Sequence, residues 1–155
     1  MDLVASLNDF VRRFSYPAEQ GLIVRQIAAH PVHPRTDRGN AAAYFSFDAL
    51  RTMEAHVSEI PPGGVTATHR HTCEAVFFVL AGRGHTLLWD DPQAVRRIDW
   101  RAGDLFVTPI NLWHRHANAA AAAPARYLEI TNIPLMKSLG TWSIQPPQPQ
   151  DDAAP

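Results

Sequence analysis

The chain has 155 residues, a hydrophobic fraction of 46%, a charged fraction of 19% and a formal net charge of −1. That length suits one domain with a sizeable core, and the near-neutral balance argues against the basic footprint of a protein that binds nucleic acid or an anionic membrane. One cysteine excludes an internal disulfide, no apolar run could span a bilayer, and no basic start followed by an apolar core opens the chain, so a cytoplasmic protein is expected.

Residues 2–14 place Leu3, Leu7, Phe10, Val11 and Phe14 on one helical stripe, with Asp2 as N-cap and Pro17 and Gly21 at the exit. A short amphipathic helix is expected there, covering an edge of the fold or a partner subunit. Leu22 to Ile27 reads as a short strand. His30 and His33 follow, each beside a proline, and then Arg35-Thr36-Asp37-Arg38-Gly39. Proline restricts the backbone around it, so these histidines read as exposed loop residues rather than as a ligand pair.

From Ala41 short strands come at close intervals: 44–47, 53–60, 65–71, 75–81, 85–89, 95–100, 105–108, 113–117 and 126–131. Turn residues separate them at Gly82–Gly84, Asp90–Pro92, Ala102–Gly103 and Pro109–Asn111. Such a series predicts an all-β sandwich or barrel. The alanines 119–123 are too few to hold a helix and run into Pro124, so they read as a loop. The expected organisation is a helix and arm over 1–40, a barrel over 41–135 and an extension over 136–155. The tail, rich in Pro, Gln and Asp, is expected to be disordered from about Gln145 onward.

Two stretches carry chemistry. In Gly63-Gly64-Val65-Thr66-Ala67-Thr68-His69-Arg70-His71, a glycine turn leads into a strand whose two histidines stand two apart. Side chains at that spacing share a face, so two imidazoles lie a few ångströms apart, half of a metal site. Later, Gly103, Pro109, Asn111, His114 and Asn118 recur at fixed spacing. Together the stretches resemble the two motifs of the cupin superfamily, G-x5-H-x-H-x(3,4)-E-x6-G and G-x5-P-x-G-x2-H-x3-N. Gly63, His69, His71 and Gly82 fit the first, and Gly103, Pro109, His114 and Asn118 the second. The resemblance implies a double-stranded β-helix, the jelly-roll barrel of cupins, and a bound metal.

Two departures are informative. Ala75 stands where the cupin glutamate falls, with Glu74 one residue earlier, and Asn111 replaces the second-motif glycine. Asparagine tolerates positive φ, so that turn survives. A one-residue shift on a strand reverses the face, which turns Glu74 away from the metal unless the turn after His71 changes the phase. The resemblance then implies His69, His71 and His114 as the metal ligands. The run Trp113-His114-Arg115-His116-Ala117-Asn118 further resembles the gentisate 1,2-dioxygenase-like branch of the cupins.

Other candidates stay open. Glu74 is a fourth ligand, a hydrogen-bond acceptor to a ligand, or a surface residue. His116 shares the parity of His114 and is a group beside the metal or a polar residue at the barrel mouth. Cys73 is a thiolate ligand or a small buried residue. Arg70 and Arg115 point away from the histidines on regular strands, although either could anchor a substrate carboxylate. The implied cofactor is Fe(II), with Mn, Ni, Cu and Zn also suited to imidazole. The implied activity is an Fe(II) dioxygenase acting on a small aromatic or enolic hydroxy acid with O2, in a homodimer. The alternatives are another metal-cupin enzyme (decarboxylase, isomerase or thiol oxygenase) and a non-catalytic small-ligand binder.

Overall fold

The computed structural model describes residues 18–47 and 49–146. The helix expected over 2–14 and the tail beyond Pro146 lie outside them. The fold is all-β, a jelly-roll barrel of two main sheets. Its strands are β1 (Ala18–Gly21), β2 (His33–Arg35), β3 (Asn40–Phe47), β4 (Glu54–Ile60), β5 (Arg70–His71), β6 (Ala75–Ala81), β7 (Arg83–Trp89), β8 (Arg96–Arg101), β9 (Leu105–Thr108), β10 (Trp113–Asn118), β11 (Ala125–Thr131) and β12 (Ile144–Gln145). One short helix, α1 (Ile133–Ser138), follows β11. No helix of the described residues is long and apolar enough to cross a membrane.

The larger sheet runs β1-β3-β4-β11-β6-β9, with β2 also paired to β3; the smaller runs β10-β7-β8, and β12 pairs with β5. Alternation along the strands sorts side chains between interior and exterior. On β4 the inward set is Glu54, His56, Ser58 and Ile60, and on β11 it is Thr131, Glu129, Tyr127 and Ala125, opposed in antiparallel register. Both sets pass from polar to apolar in the same direction. One end of the barrel is therefore sealed by Ile60, Phe77, Val79, Trp100, Phe106 and Tyr127, with the Phe77 and Phe106 rings stacked at 4.7 Å. The other end is a polar chamber.

The outward apolar residues of β3, β4 and β11 are covered by Val24, Ile27 and Val32 of the N-terminal arm. The strand expected over 22–27 is absent; Ile27–Ala29 is a 3-10 turn entered through Gln26 at φ 52°. This segment packs on the sheet face, where no strand edge is free to pair with it. The strand expected over 65–71 is likewise reduced to β5 and two isolated bridges, Val65 to Ala117 and His69 to His114. Between them the Ala67 N–H turns aside to the Arg38 carbonyl, 2.9 Å away.

Turn chemistry closes the second sheet against the first. Asn111 holds φ 62°, as its place at the motif glycine requires, and donates its N–H to the His71 carbonyl at 2.8 Å. Asn118, 4% exposed, donates its amide to the carbonyls of Ile60, Pro61 and Ala123 and accepts from the Ala120 N–H at 2.9 Å. One side chain thus joins the end of β4, the loop after it and the alanine-rich loop. Removing it leaves several buried backbone groups unpaired, so Asn118→Ala should lower stability by about 2–4 kcal/mol, read from the shift in urea midpoint.

Candidate metal centre

Three histidines meet at the polar end. His69 and His71 flank the start of β5, and the bridge to β10 sets His69 opposite His114. Ring centroids are 4.3 Å apart for His69 and His114, 4.8 Å for His71 and His114, and 5.6 Å for His69 and His71. One nitrogen from each lies within 4.8 Å of the others.

The other ring nitrogen of each is engaged. The Nδ1–H groups donate to backbone carbonyls: His69 to Ala67 at 2.9 Å, His71 to Cys73 at 3.0 Å and His114 to Leu112 at 2.9 Å. A carbonyl only accepts, so each bond assigns the tautomer and leaves Nε2 as a lone pair. Burial, the largest cause, holds all three rings below the usual imidazole range; with His71 and His116 adding to it, His114 falls to about 3. The Nε2 of His114 is buried without a hydrogen-bond partner. Three neutral imidazoles with converging lone pairs are a donor set suited to a divalent transition metal, and the buried lone pair of His114 is one that a metal would satisfy.

His116 is built the other way round. Trp100 Nε1–H donates to Thr86 Oγ1 at 3.0 Å, and the proton of this fully buried hydroxyl finds its acceptor in His116 Nδ1 at 2.8 Å. His116 therefore carries its own proton on Nε2, as a donor. Burial holds its pKa down at about 4. Glu74 is exposed, and its carboxylate accepts from the Asn132 amide at 3.0 Å, away from the histidines. Cys73 is fully buried 3.2 Å from His71 Nδ1, and burial pushes its thiol up. Arg70 lies over the Trp113 ring at 4.5 Å and Arg115 over Trp89 at 5.9 Å, both outside the cavity. His30 packs edge-on against Phe45, and neither it nor His33 joins the cluster.

The chamber also contains groups that the spacing does not announce. Arg35 and Arg38 come from the segment expected to be an inert exposed loop. The β2–β3 hairpin folds it back, so that Arg35 is 7% exposed and both side chains line the cavity. Burial, then the charge of Arg35, lowers the Arg38 pKa. Farther along the same sheet His56 Nε2 meets Glu129 Oε2 at 2.9 Å, from directly paired positions of β4 and β11, and Tyr44, with Arg35 over its ring at 5.5 Å, stacks on His56 at 4.8 Å. Burial alone would raise the Glu129 carboxyl, but the facing His56, with His71 and His116 beyond, brings it to about 2.

Comparison with known proteins follows this geometry. Residues 56–131 match the family model of the cupin domain. The chain is 36% identical over 97 residues to a 5-aminosalicylate 1,2-dioxygenase of Comamonas sp, covering 62% of this chain and 24% of that one. It is 33% identical over 110 residues to a 1-hydroxy-2-naphthoate 1,2-dioxygenase of Nocardioides sp., covering 71% and 26%. The chain thus spans about a quarter of these curated relatives. Among solved structures, a salicylate 1,2-dioxygenase of Pseudoaminobacter salicylatoxidans, in adducts with gentisate, superposes with a TM-score of 0.59 at 18% identity, over 94% of this chain and 34% of that one. An oxalate decarboxylase of Lactobacillus farciminis gives 0.60 at 22% identity, over 75% and 33%. At these identities the structural likeness is one of fold.

Two outcomes test the centre. His69→Ala, His71→Ala and His114→Ala should each remove most of the bound metal from the purified protein, whereas Glu74→Ala should leave metal per chain unchanged by elemental analysis. The Glu129 carboxyl lies below its ordinary value of about 4.5, so its ionised form stabilises the fold above that pH and loses the effect as pH falls toward 2. Urea unfolding between pH 7 and 3 should show a steeper acid loss for the wild type than for Glu129→Gln.

Proposed function

This chain carries a cupin domain, and we propose that it is a metal-dependent dioxygenase opening the ring of a small aromatic hydroxy acid. The observation that carries the reading is the donor set: three neutral imidazoles and, at the position of the usual acidic ligand, a methyl group. Ala75 is an inward-facing residue of β6, 2% exposed. A divalent ion held by His69, His71 and His114 would keep its full charge and favour an anionic chelating ligand. The similarity to aminosalicylate and hydroxynaphthoate dioxygenases supports the substrate class.

When bound, a ferrous ion would supply the redox chemistry that lets O2 react with an aromatic ring. The remaining work falls to the chain. Arg35 and Arg38 put two guanidinium groups on the cavity wall, suited to a substrate carboxylate. His116 offers its Nε2–H to a substrate oxygen, held in that tautomer by Thr86 and Trp100. The ionised Glu129 fixes His56 farther along the sheet that carries Arg35. Phe77, Phe106 and Tyr127 close the apolar end beneath His116, with ring centroids 5.0, 6.1 and 5.3 Å from it, which keeps bulk water from that side.

The direct test is O2 uptake by anaerobically purified, Fe(II)-loaded protein with gentisate, 5-aminosalicylate, salicylate and 1-hydroxy-2-naphthoate. One O2 consumed per ring lost is expected for at least one acid; no uptake with any of them defeats the reading. The charge argument has its own check. Ala75→Glu should retain metal and bind the acid more weakly, by tenfold or so if about 1.4 kcal/mol of attraction is lost. Ala75→Gln, of the same size but neutral, should fall between it and the wild type in a titration of the Co(II) spectrum.

A further inference from the structure

The chamber's volume is about 60 Å3, whereas a cavity of about 150 Å3 is one that takes benzene. A hydroxybenzoate seated wholly inside the chamber therefore needs part of the wall to move. Most of the wall is long ladder: β4 and β11 pair along seven positions, and β10 and β7 along six. The ladder is short where residues 65–71 meet β10 through two isolated bridges, and where Thr141–Gln145, which follows α1, crosses beside β5. The pairing of this last segment is two residues long, Ile144 with His71 and Gln145 with Arg70. Further ties run through two neighbours and the end of α1: Thr72 N–H to the Ser143 carbonyl at 3.1 Å, Ser143 N–H to Thr72 Oγ1 at 2.9 Å, Thr72 Oγ1–H to the Thr141 carbonyl at 2.8 Å, Arg70 Nε–H to Gln145 Oε1 at 2.8 Å and Thr141 N–H to the Met136 carbonyl at 2.9 Å. Gly140, at φ 70°, stands at the start of the segment as a natural pivot.

This strap brings an aromatic side chain to the metal centre. The Trp142 indole faces the His71 imidazole, with centroids 6.4 Å apart and planes 28° from parallel, and lines the cavity together with Ile144. Both residues lie beyond the span that matches the cupin domain, which ends at residue 131. The barrel supplies the three histidines and charge, and the strap adds an indole face beside His71.

We propose that Trp142 is the specificity-determining residue of this site: the strap swings out to admit the acid and closes with the indole against the substrate ring. The proposal rests on the dioxygenase reading for its aromatic substrate. It separates ring recognition, by Trp142, from recognition of the chelating hydroxyl and carboxylate, by the metal and the arginines. An aliphatic hydroxy acid with the same chelating groups has no ring for the indole to hold.

Gentisate and lactate, titrated into the Co(II)-loaded full chain and followed by its visible spectrum, separate the two contributions. Trp142→Ala should weaken gentisate roughly three- to tenfold, the size of an aromatic contact, while lactate binds as to the wild type and Trp142→Phe falls between. Hydrogen exchange in the peptide 139–146 should slow when gentisate saturates the wild type. Equal weakening of both acids, or none of gentisate, overturns the role of Trp142, and unchanged exchange overturns the moving strap. Gentisate that leaves the wild-type spectrum unperturbed overturns the dioxygenase reading as well, which distinguishes the two failures.

Discussion

Everything at the centre depends on keeping three imidazoles neutral, dry and turned the same way. Burial disfavours their protonated forms, and a local hydrogen bond settles which nitrogen keeps the proton. In each case the acceptor is a main-chain carbonyl two residues away: Ala67 for His69, Cys73 for His71 and Leu112 for His114. The orienting groups therefore belong to the backbone just outside β5 and β10, in the loops beside the histidines. Side-chain identity at those neighbours is free to vary without changing the tautomer. His116 shows the contrast, since its opposite tautomer needs two specific side chains, Thr86 and Trp100, to maintain it.

The graded interior makes that dryness compatible with charge. An ionised Glu129 inside a barrel is costly unless a donor meets it, and His56 does so from the facing strand position. Two residues further along the same strands the pairs become Tyr127 with Ser58 and then Ala125 with Ile60. Charge is confined to the end that opens toward Arg35, Arg38 and the strap. The aromatic floor excludes water from below, and its polar atoms are engaged away from the histidine cluster, the Trp100 N–H by Thr86 and the Tyr127 hydroxyl by Ser58.

How much of this was legible in the sequence follows from how far apart the cooperating residues lie. His69 and His71 stand two apart on one short segment, which parity alone pairs; His114 joined them through the resemblance to the cupin motifs. Parity also turned Glu74 outward and Arg70 and Arg115 away from the chamber, as the structure has them. The His56–Glu129 pair joins residues on β4 and β11 whose facing is set by strand register, which local pattern does not contain. Arg35 and Arg38 read as loop because their stretch is polar and proline-flanked; only the fold of the hairpin against β3 buries them. The strand expected at 22–27 failed for a related reason: Val24 and Ile27 serve a sheet face rather than an edge, while Leu22 and Ile23 stay exposed.

The position of β11 has a consequence for how the chain assembles. It lies between β4 and β6 in the larger sheet, yet it follows every other strand of that sheet in the sequence. Until it arrives, β4 and β6 have no common neighbour, and the sheet is two fragments with unpaired edges. Contacts so distant along the chain carry a large loop-closure cost, which slows folding and prolongs the exposure of edges prone to association. During synthesis all three clustered histidines emerge before the strand that completes their barrel. Glu129 enters the wall with that strand, and Trp142 only after it, so the strap is the last part of the site to be translated, long after Arg35, Arg38 and His56.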